Sequence, residues 1–271
     1  MNFICPICRG ELCCSPRASA VCGRGHSFDR AKEGYYNLLV SQTHKAHGDN
    51  REMIDARRHF LSLGYYQPLA NRVAEIALSF AKPFSVLIDA GCGEGYYTDI
   101  IERALFQRDK ESRVFAFDIS KDAARRTAKL NPRISVSVAS AYSMPFSDGS
   151  VDVAVNLFSP LAKEEILRIL APSGKFILVY PEREHLFGLK AAIYDTPYKN
   201  NPESTELSGF SLLHSERLRY EMNIEGKEAV KSLFMMTPYA YRTGKAERER
   251  GLALSNIKTD ADFMIAVYEK E

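Results

Sequence analysis

Between residues 84 and 105 the chain carries a pattern that few folds can use. The apolar run Phe84-Ser85-Val86-Leu87-Ile88 reads as a buried strand. It ends in Asp89-Ala90-Gly91-Cys92-Gly93-Glu94-Gly95 and passes into Tyr96 to Leu105, which reads as a helix. A strand that turns through three glycines at alternate positions into a helix is a loop for a nucleotide-like cofactor. Gly91 allows the tight turn, and Gly93 and Gly95 let a ligand approach bare backbone. The G-x-G-x-G spacing differs from the dinucleotide fingerprint G-x-G-x-x-G, and an acid, Asp89, opens it. Cys92 is expected to be a small buried residue rather than a nucleophile.

The downstream chain repeats the strand–helix alternation. Arg113 to Phe117 reads as a second strand ending at Asp118, an acid placed to accept hydrogen bonds from ribose hydroxyls. Ser120-Lys121-Asp122 is an N-cap-like start to a helix reaching about Leu130, and Ile134 to Val138 is a third strand. Met144-Pro145-Phe146-Ser147-Asp148-Gly149-Ser150-Val151-Asp152 leads into the apolar run Val153 to Phe158, and Leu170-Ala171-Pro172-Ser173-Gly174-Lys175-Phe176 reads as the turn before a fifth strand. In that order these segments resemble the class I methyltransferases that use S-adenosylmethionine (SAM). The resemblance implies an α/β, Rossmann-like fold with a seven-stranded, mostly parallel sheet and helices on both faces. Phe210 to Met222 and Asp262 to Tyr268 are then the final antiparallel hairpin, with a helix at about 227–235 between them. The segment Ala139-Ser140-Ala141 lacks the Asp such proteins often place against the adenine amino group, so a hydroxyl or a carbonyl must serve there.

The first 30 residues carry a second signal. Cys5-Pro6-Ile7-Cys8 is followed after thirteen residues by Cys22 and then by His26. A C-x2-C knuckle completed by Cys and His is a tetrahedral zinc pattern. A segment this short buries too little apolar surface to fold alone, so a metal takes the place of a core. Cys13 and Cys14 lie between the pairs and are alternative ligands. With all four positions filled by protein, the metal is expected to be structural.

Composition adds boundaries. The 271 residues suit one α/β domain with a small attachment, and net charge is only +2, with a slight basic excess in the first 60 residues. That balance alone does not indicate nucleic-acid binding. No eighteen-residue apolar run suggests a membrane span, and no cationic leader suggests secretion, so a cytoplasmic location is expected. The expected division is a zinc-binding module over residues 1–40, a polar linker over 41–50 and a methyltransferase domain over 51–271. Arg51 to Leu63 reads as an amphipathic helix with Met53, Ile54, Phe60 and Leu61 inward, and Pro68 to Phe80 as a second.

The zinc pattern, together with Ala31-Lys32-Glu33-Gly34-Tyr35-Tyr36-Asn37-Leu38-Leu39, Ala56-Arg57-Arg58-His59-Phe60-Leu61, Gly64-Tyr65-Tyr66-Gln67-Pro68-Leu69, Cys92 to Thr98 and Met236-Thr237-Pro238-Tyr239-Ala240, resembles bacterial 23S rRNA (guanine-N1)-methyltransferases of the RrmA type over nearly the whole length. The resemblance implies SAM-dependent methylation of a guanine N1 in a 23S rRNA hairpin, a structural zinc on Cys5, Cys8, Cys22 and His26, an RNA-recognising role for residues 1–40, and a homodimer. It places SAM contacts at Tyr66, Tyr97, Thr98 and His185, beside Asp89, Gly91, Gly93, Gly95 and Asp118 of the loop reading. Arg57 and Arg58, with Lys32 and Lys45, are the expected RNA contacts. Tyr35 and Tyr36 either pack the module onto the main domain or stack on a base. Neutral guanine N1 bears a proton that some group must remove. Asn156, Ser159, Glu182 and His185 lie near the ends of strands four and five, and Asn156 cannot act as a base. A methyltransferase acting on a small molecule, and a non-catalytic protein binding SAM and RNA, are the competing readings.

Overall fold

The computed structural model describes residues 2–14, 19–40, 49–202 and 206–271. The expected linker core, 41–48, with Lys45, lies outside them. The amino-terminal segment forms the short strands β1 (Leu12–Cys13), β2 (Ala20–Cys22), β3 (Ser27–Phe28) and β4 (Tyr36–Asn37). Then follow α1 (Arg51–Ser62), α2 (Gln67–Phe80), β5 (Val86–Ala90), α3 (Tyr96–Arg108), β6 (Arg113–Asp118), α4 (Lys121–Leu130), β7 (Ser135–Val138), β8 (Val151–Leu157), α5 (Lys163–Ile169) and β9 (Leu170–Pro181). The chain closes with α6 (Phe187–Ile193), β10 (Phe210–Glu225), α7 (Lys227–Met235), α8 (Tyr239–Arg242), α9 (Lys245–Ala253) and β11 (Asn256–Lys270).

The main sheet has the order β10-β11-β9-β8-β5-β6-β7-β4. β5 through β9 run parallel, and β10 and β11 form the antiparallel hairpin. The reversal of strand order at β5 and β8 opens a crevice beyond their carboxyl ends, where ligands of such sheets bind. Local signals set the helices. Asn50 caps α1 by accepting from the Met53 amide at 2.9 Å, and Ser120 caps α4. Pro68 sits in the first turn of α2, where its missing N–H is no loss.

Strand alternation splits the interior into two cores. Leu87, Val114, Ala116, Val153, Val155, Ile177 and Val179 face one layer, which α1, α2, α3, α4, α6 and α7 cover. Ile88, Ala90, Phe115, Phe117, Ala154, Phe176 and Leu178 face the other. That second face receives α5 and, across β6, the amino-terminal module. Phe3 packs its ring 5.3 Å from Phe115 and 5.6 Å from Phe146, centroid to centroid. The Ile4 amide donates to the Pro145 carbonyl at 2.9 Å, and β4 pairs parallel to β7.

Several expectations are therefore revised. The sheet has eight strands rather than seven, because the module contributes β4. The segment 170–176 belongs to β9 and is kinked at Ser173, whose φ is +59°. Phe84 is not in β5. Its φ is +65°, and its amide donates to the Asp109 carboxylate in a turn. Met53 is only half-buried, unlike Ile54, Phe60 and Leu61. The terminal hairpin is longer than expected at both ends, and α8 and α9 lie within its connection.

The pairing of β4 with β7 and the packing of Phe3 cross the expected boundary at residue 40. Replacing Phe3 with Ala removes a ring shared by both parts, a loss of about 3–5 kcal/mol. Calorimetry of Phe3→Ala is expected to show one unfolding transition shifted down. An early separate transition for the module, with the main transition unmoved, would show that the two parts unfold independently.

Candidate active site and metal centre

The knuckle Cys5–Cys8 and the β2–β3 turn bring four side chains together. The ligand atoms of Cys5, Cys8, Cys22 and His26 all lie within 4.8 Å of one another. Cys8 Sγ is 3.6 Å from Cys22 Sγ, and His26 Nδ1 is 3.5 Å from Cys5 Sγ and 3.4 Å from Cys22 Sγ. Zinc–sulfur bonds of about 2.3 Å in a tetrahedron give ligand separations of roughly 3.8 Å, so the cluster fits the ion. Burial pushes the Cys22 thiol up, but hydrogen bonds from the backbone at Arg24 and His26 outweigh it and bring the thiol to about 6. Cys13 is exposed, and neither it nor Cys14 joins the cluster.

At the strand ends, the three loop glycines have φ of +86°, +56° and +90°. They serve different ends. A Cβ on Gly91 would meet Ser159 Cβ at 2.4 Å, and one on Gly95 would meet Thr127 at 2.9 Å. The close neighbour at Gly95 is therefore the packed side chain of α4. Gly93 has room, with Arg57 3.7 Å from its Cβ position, and its amide donates to Asp118 at 2.9 Å. Asp118 also accepts from the Ser120 amide at 2.7 Å.

Below this loop lies buried negative charge. Asp89 is 2% exposed. It accepts from the Thr98 hydroxyl at 2.5 Å on one oxygen, and its other oxygen has no partner. Glu94, also buried, likewise has an unpartnered oxygen. Burial, reinforced by the charges of Asp118 and Glu94 and opposed by the Thr98 hydrogen bond, pushes Asp89 up to about 7. Burial raises Glu94 and Asp118 as well. Arg57, expected at RNA, instead turns over the loop, pairs with Asp49 and faces Glu94 and Asp118. Orphaned carboxylate oxygens beneath an open glycine are a fitting host for a cationic cofactor with hydroxyls.

Tyr66 and His185 meet beside this loop. The Asp262 amide donates to His185 Nδ1 at 3.3 Å. That fixes the proton on Nε2, which faces the Tyr66 hydroxyl at 3.3 Å. Burial holds the ring neutral, with a pKa of about 3. An aromatic chain joins this pair to the loop, from His185 to Phe263 at 4.5 Å, Phe158 at 5.5 Å and Tyr97 at 6.3 Å. Of the expected proton acceptors, His185 has its lone pair engaged, and the Ser159 hydroxyl donates to the Ala90 carbonyl at 2.5 Å. Glu182 alone keeps a Brønsted base on a half-exposed side chain. Its backbone is pinned to Asp262, His185 and Asn200. Sequence reasoning passed over Glu94, Phe158 and Phe263. Glu94 lies inside the glycine motif and was open to notice, whereas the ring chain is a product of folding. Tyr35 and Tyr36 are buried, in keeping with a packing role, while Arg58 and Lys32 are exposed.

Comparison with known proteins joins these observations. The RlmA amino-terminal zinc-ribbon family model matches residues 3–47, and a methyltransferase-domain model matches residues 87–174. The 23S rRNA (guanine(748)-N(1))-methyltransferase of Streptomyces fradiae is 32% identical over 92% of this chain and 89% of its own length. The chain belongs to the 23S rRNA (guanine-N1)-methyltransferase family. A Bacillus subtilis (strain 168) protein provisionally given that activity is 29% identical over 98% of this chain and 96% of its own. A Bacillus halodurans C-125 structure, provisionally identified as a methyltransferase, shares the fold with a TM-score of 0.50. It has 13% identity and covers 74% of this chain and 98% of its own. The family member is thus a SAM-dependent enzyme with a structural zinc ribbon. Among its described residues no helix is long and apolar enough to cross a membrane.

Because the ribbon has little core of its own, metal binding is folding energy. Stripping the enzyme with a strong chelator is expected to release one zinc per chain and lower the thermal midpoint, and Cys5→Ser is expected to do the same. An unchanged midpoint in the metal-free chain would refute a structural ion.

Proposed function

We propose that this enzyme transfers the methyl group of SAM to N1 of a guanine in a hairpin of 23S rRNA, in the cytoplasm and as a homodimer. The observation that carries this reading is the near-full-length match to the Streptomyces fradiae enzyme, which spans ribbon and catalytic domain together. SAM, when bound, supplies a methyl made electrophilic by its sulfonium. The chain's part is to bind, orient and manage one proton.

In this reading Asp118 retains lone pairs for the ribose hydroxyls beyond its two amide contacts. The free oxygens of Asp89 and Glu94 would accept from the cationic amino-acid end, Gly91 and Gly93 would help to hold the cofactor, and Gly95 keeps the loop against α4. Tyr66, Tyr97, Thr98 and His185 shape the site's wall. Thr98 acts through Asp89, and His185 acts as a neutral donor that aims the Tyr66 hydroxyl. Holding N1 in line with the reactive methyl lowers the barrier by positioning. Glu182 takes the N1 proton, since the other candidates have no free base. Exposed Arg58 and Lys32 meet the RNA backbone, with residues 1–40 as the recognition module.

Large-subunit rRNA lacking the modification, incubated with the enzyme and labelled SAM, is expected to give a reverse-transcription stop at one hairpin guanine, because N1 methylation blocks the pairing edge. Glu182→Gln is expected to bind SAM normally and give no stop. SAM binding without any rRNA stop from the wild type would put a small-molecule substrate in its place.

The buried acids also set a pH dependence. In the unliganded fold Asp89 releases its proton near 7, above its ordinary 3.8. A bound cation favours the ionised form, so SAM affinity is expected to rise with pH below about 7, by up to tenfold per unit, and to level off above. The raised pKa has the opposite consequence for the empty fold, whose stability from this group falls as pH rises from about 4 through 7. Titration calorimetry between pH 5.5 and 8.5 checks the first trend. Asp89→Asn should flatten it, and an unchanged slope would remove Asp89 from the cofactor's charged end.

A further inference from the structure

Phe158, the residue directly after β8, has an unusual backbone conformation. Its φ is +59°, a region that bulky side chains rarely occupy. The side chain so placed is not buried, since Phe158 is 45% exposed. One side of the ring rests near Phe263, 5.5 Å away, and Tyr97, 6.3 Å away. The next residue, Ser159, is locked against the glycine loop by its bond to the Ala90 carbonyl and its contact with Gly91. A strained backbone thus holds a rigid aromatic at the carboxyl ends of the strands, beside the loop, with much of its surface open to solvent. Folding alone would favour glycine or a small polar residue here.

We infer that the open face of Phe158 is the platform on which the target purine, turned out of its RNA stack, comes to rest. The inference rests on the proposed rRNA function, and it names the subsite that function needs. N1 lies on the pairing edge and is unreachable inside a paired stack, so the base must leave it. An extruded base recovers lost stacking on an aromatic side chain. Phe158 meets three conditions at once: it is flat, exposed and held to the cofactor loop through Ser159. Phe263 behind it is fully buried and leads to His185, so the platform has a firm backing.

The test uses the full chain with zinc bound and an unmodified rRNA hairpin containing the guanine located by the reverse-transcription stop. Stacking one base on an aromatic side chain is worth roughly 5- to 150-fold in kcat/KM. Phe158→Leu and Phe158→Gly are expected to lose that much, while Phe158→Tyr stays within about threefold of wild type. SAM affinity is expected to change less than about twofold in all three, because the ring acts on the RNA base. Phe158→Gly relieves the left-handed backbone and is expected to melt no lower than Phe158→Leu, which separates loss of activity from loss of fold. Full activity in Phe158→Leu would overturn the platform, and so would a fall in SAM affinity that matches the fall in activity. A wild-type chain that produces no methylated rRNA overturns the function and the platform with it. A wild type that methylates beside an equally active Phe158→Leu overturns the platform alone.

Discussion

The sheet is apolar on both faces, and the rest of the molecule follows from the need to cover the second one. Helices cover the first face in the ordinary way of α/β proteins. Between β7 and β8, however, the chain passes through residues 139–150 without a helix. Phe115 and Phe117 of β6 would stand open there. Phe3, Leu12 and Tyr36 of the ribbon, with Phe146, close the gap. A segment of that size cannot hold such a shape through apolar burial alone, so the metal fixes the ribbon and the ribbon fixes the face. The strand so covered ends in Asp118, which holds the glycine loop through Gly93. The zinc ion is thereby connected, through one strand, to the place where the cofactor reading puts ribose.

The same strand ends carry the electrostatic design. Asp89 and Glu94 are buried and Asp118 half-buried, and Arg57 is the cation facing Glu94 and Asp118. Arg57 also holds Asp49, so it does not neutralise the group. Burial answers by raising the carboxylates toward their neutral forms, at the expense of a cofactor-ready charge. A cation entering the site reverses that balance. The unpartnered oxygen of Asp89 is tolerable because burial raises the carboxyl to about 7, so that a proton can take the place of a cationic partner.

Much of this was legible in the sequence. Continuous apolar runs placed β5 to β8, and Cys-x2-Cys with Cys and His placed the metal cluster, because both signals are local. What was not legible depended on distant partners. Nothing near Tyr36 marks it as a strand, since its ladder partner is Ser137. Arg57 looks like a surface cation on its helix, and only the return of Asp49 and the loop beneath it turn the half-buried guanidinium inward. His185 looked available as a base until the Asp262 amide, from a strand 77 residues away, took its lone pair. Gly95 reads as a ligand contact in the sequence, and only the fold shows that its missing side chain also makes room for Thr127 of α4. Spacing predicts which residues turn the chain, but not what presses against the turn.

Outside the zinc knuckle, where Arg9 has a φ of +62°, left-handed backbone at residues other than glycine sorts by place in a telling way. Phe84 precedes β5 in an exposed turn, and Ser173 is an exposed kink in the opening part of β9, where the conformation only redirects the chain. Phe158 and Leu186 lie beyond the closing ends of β8 and β9, where ligands of such sheets bind. Leu186 is buried, and its turn, anchored by donation to the Asp260 carbonyl at 2.9 Å, comes directly after His185, whose ring meets Tyr66. Its strain is offset by packing. At Phe158 the compensation is only partial, because one side of the ring rests near Phe263 and Tyr97 while the rest is left in water. A cost with so incomplete a structural return, set beside the cofactor loop, is the mark of a residue kept for what it will touch.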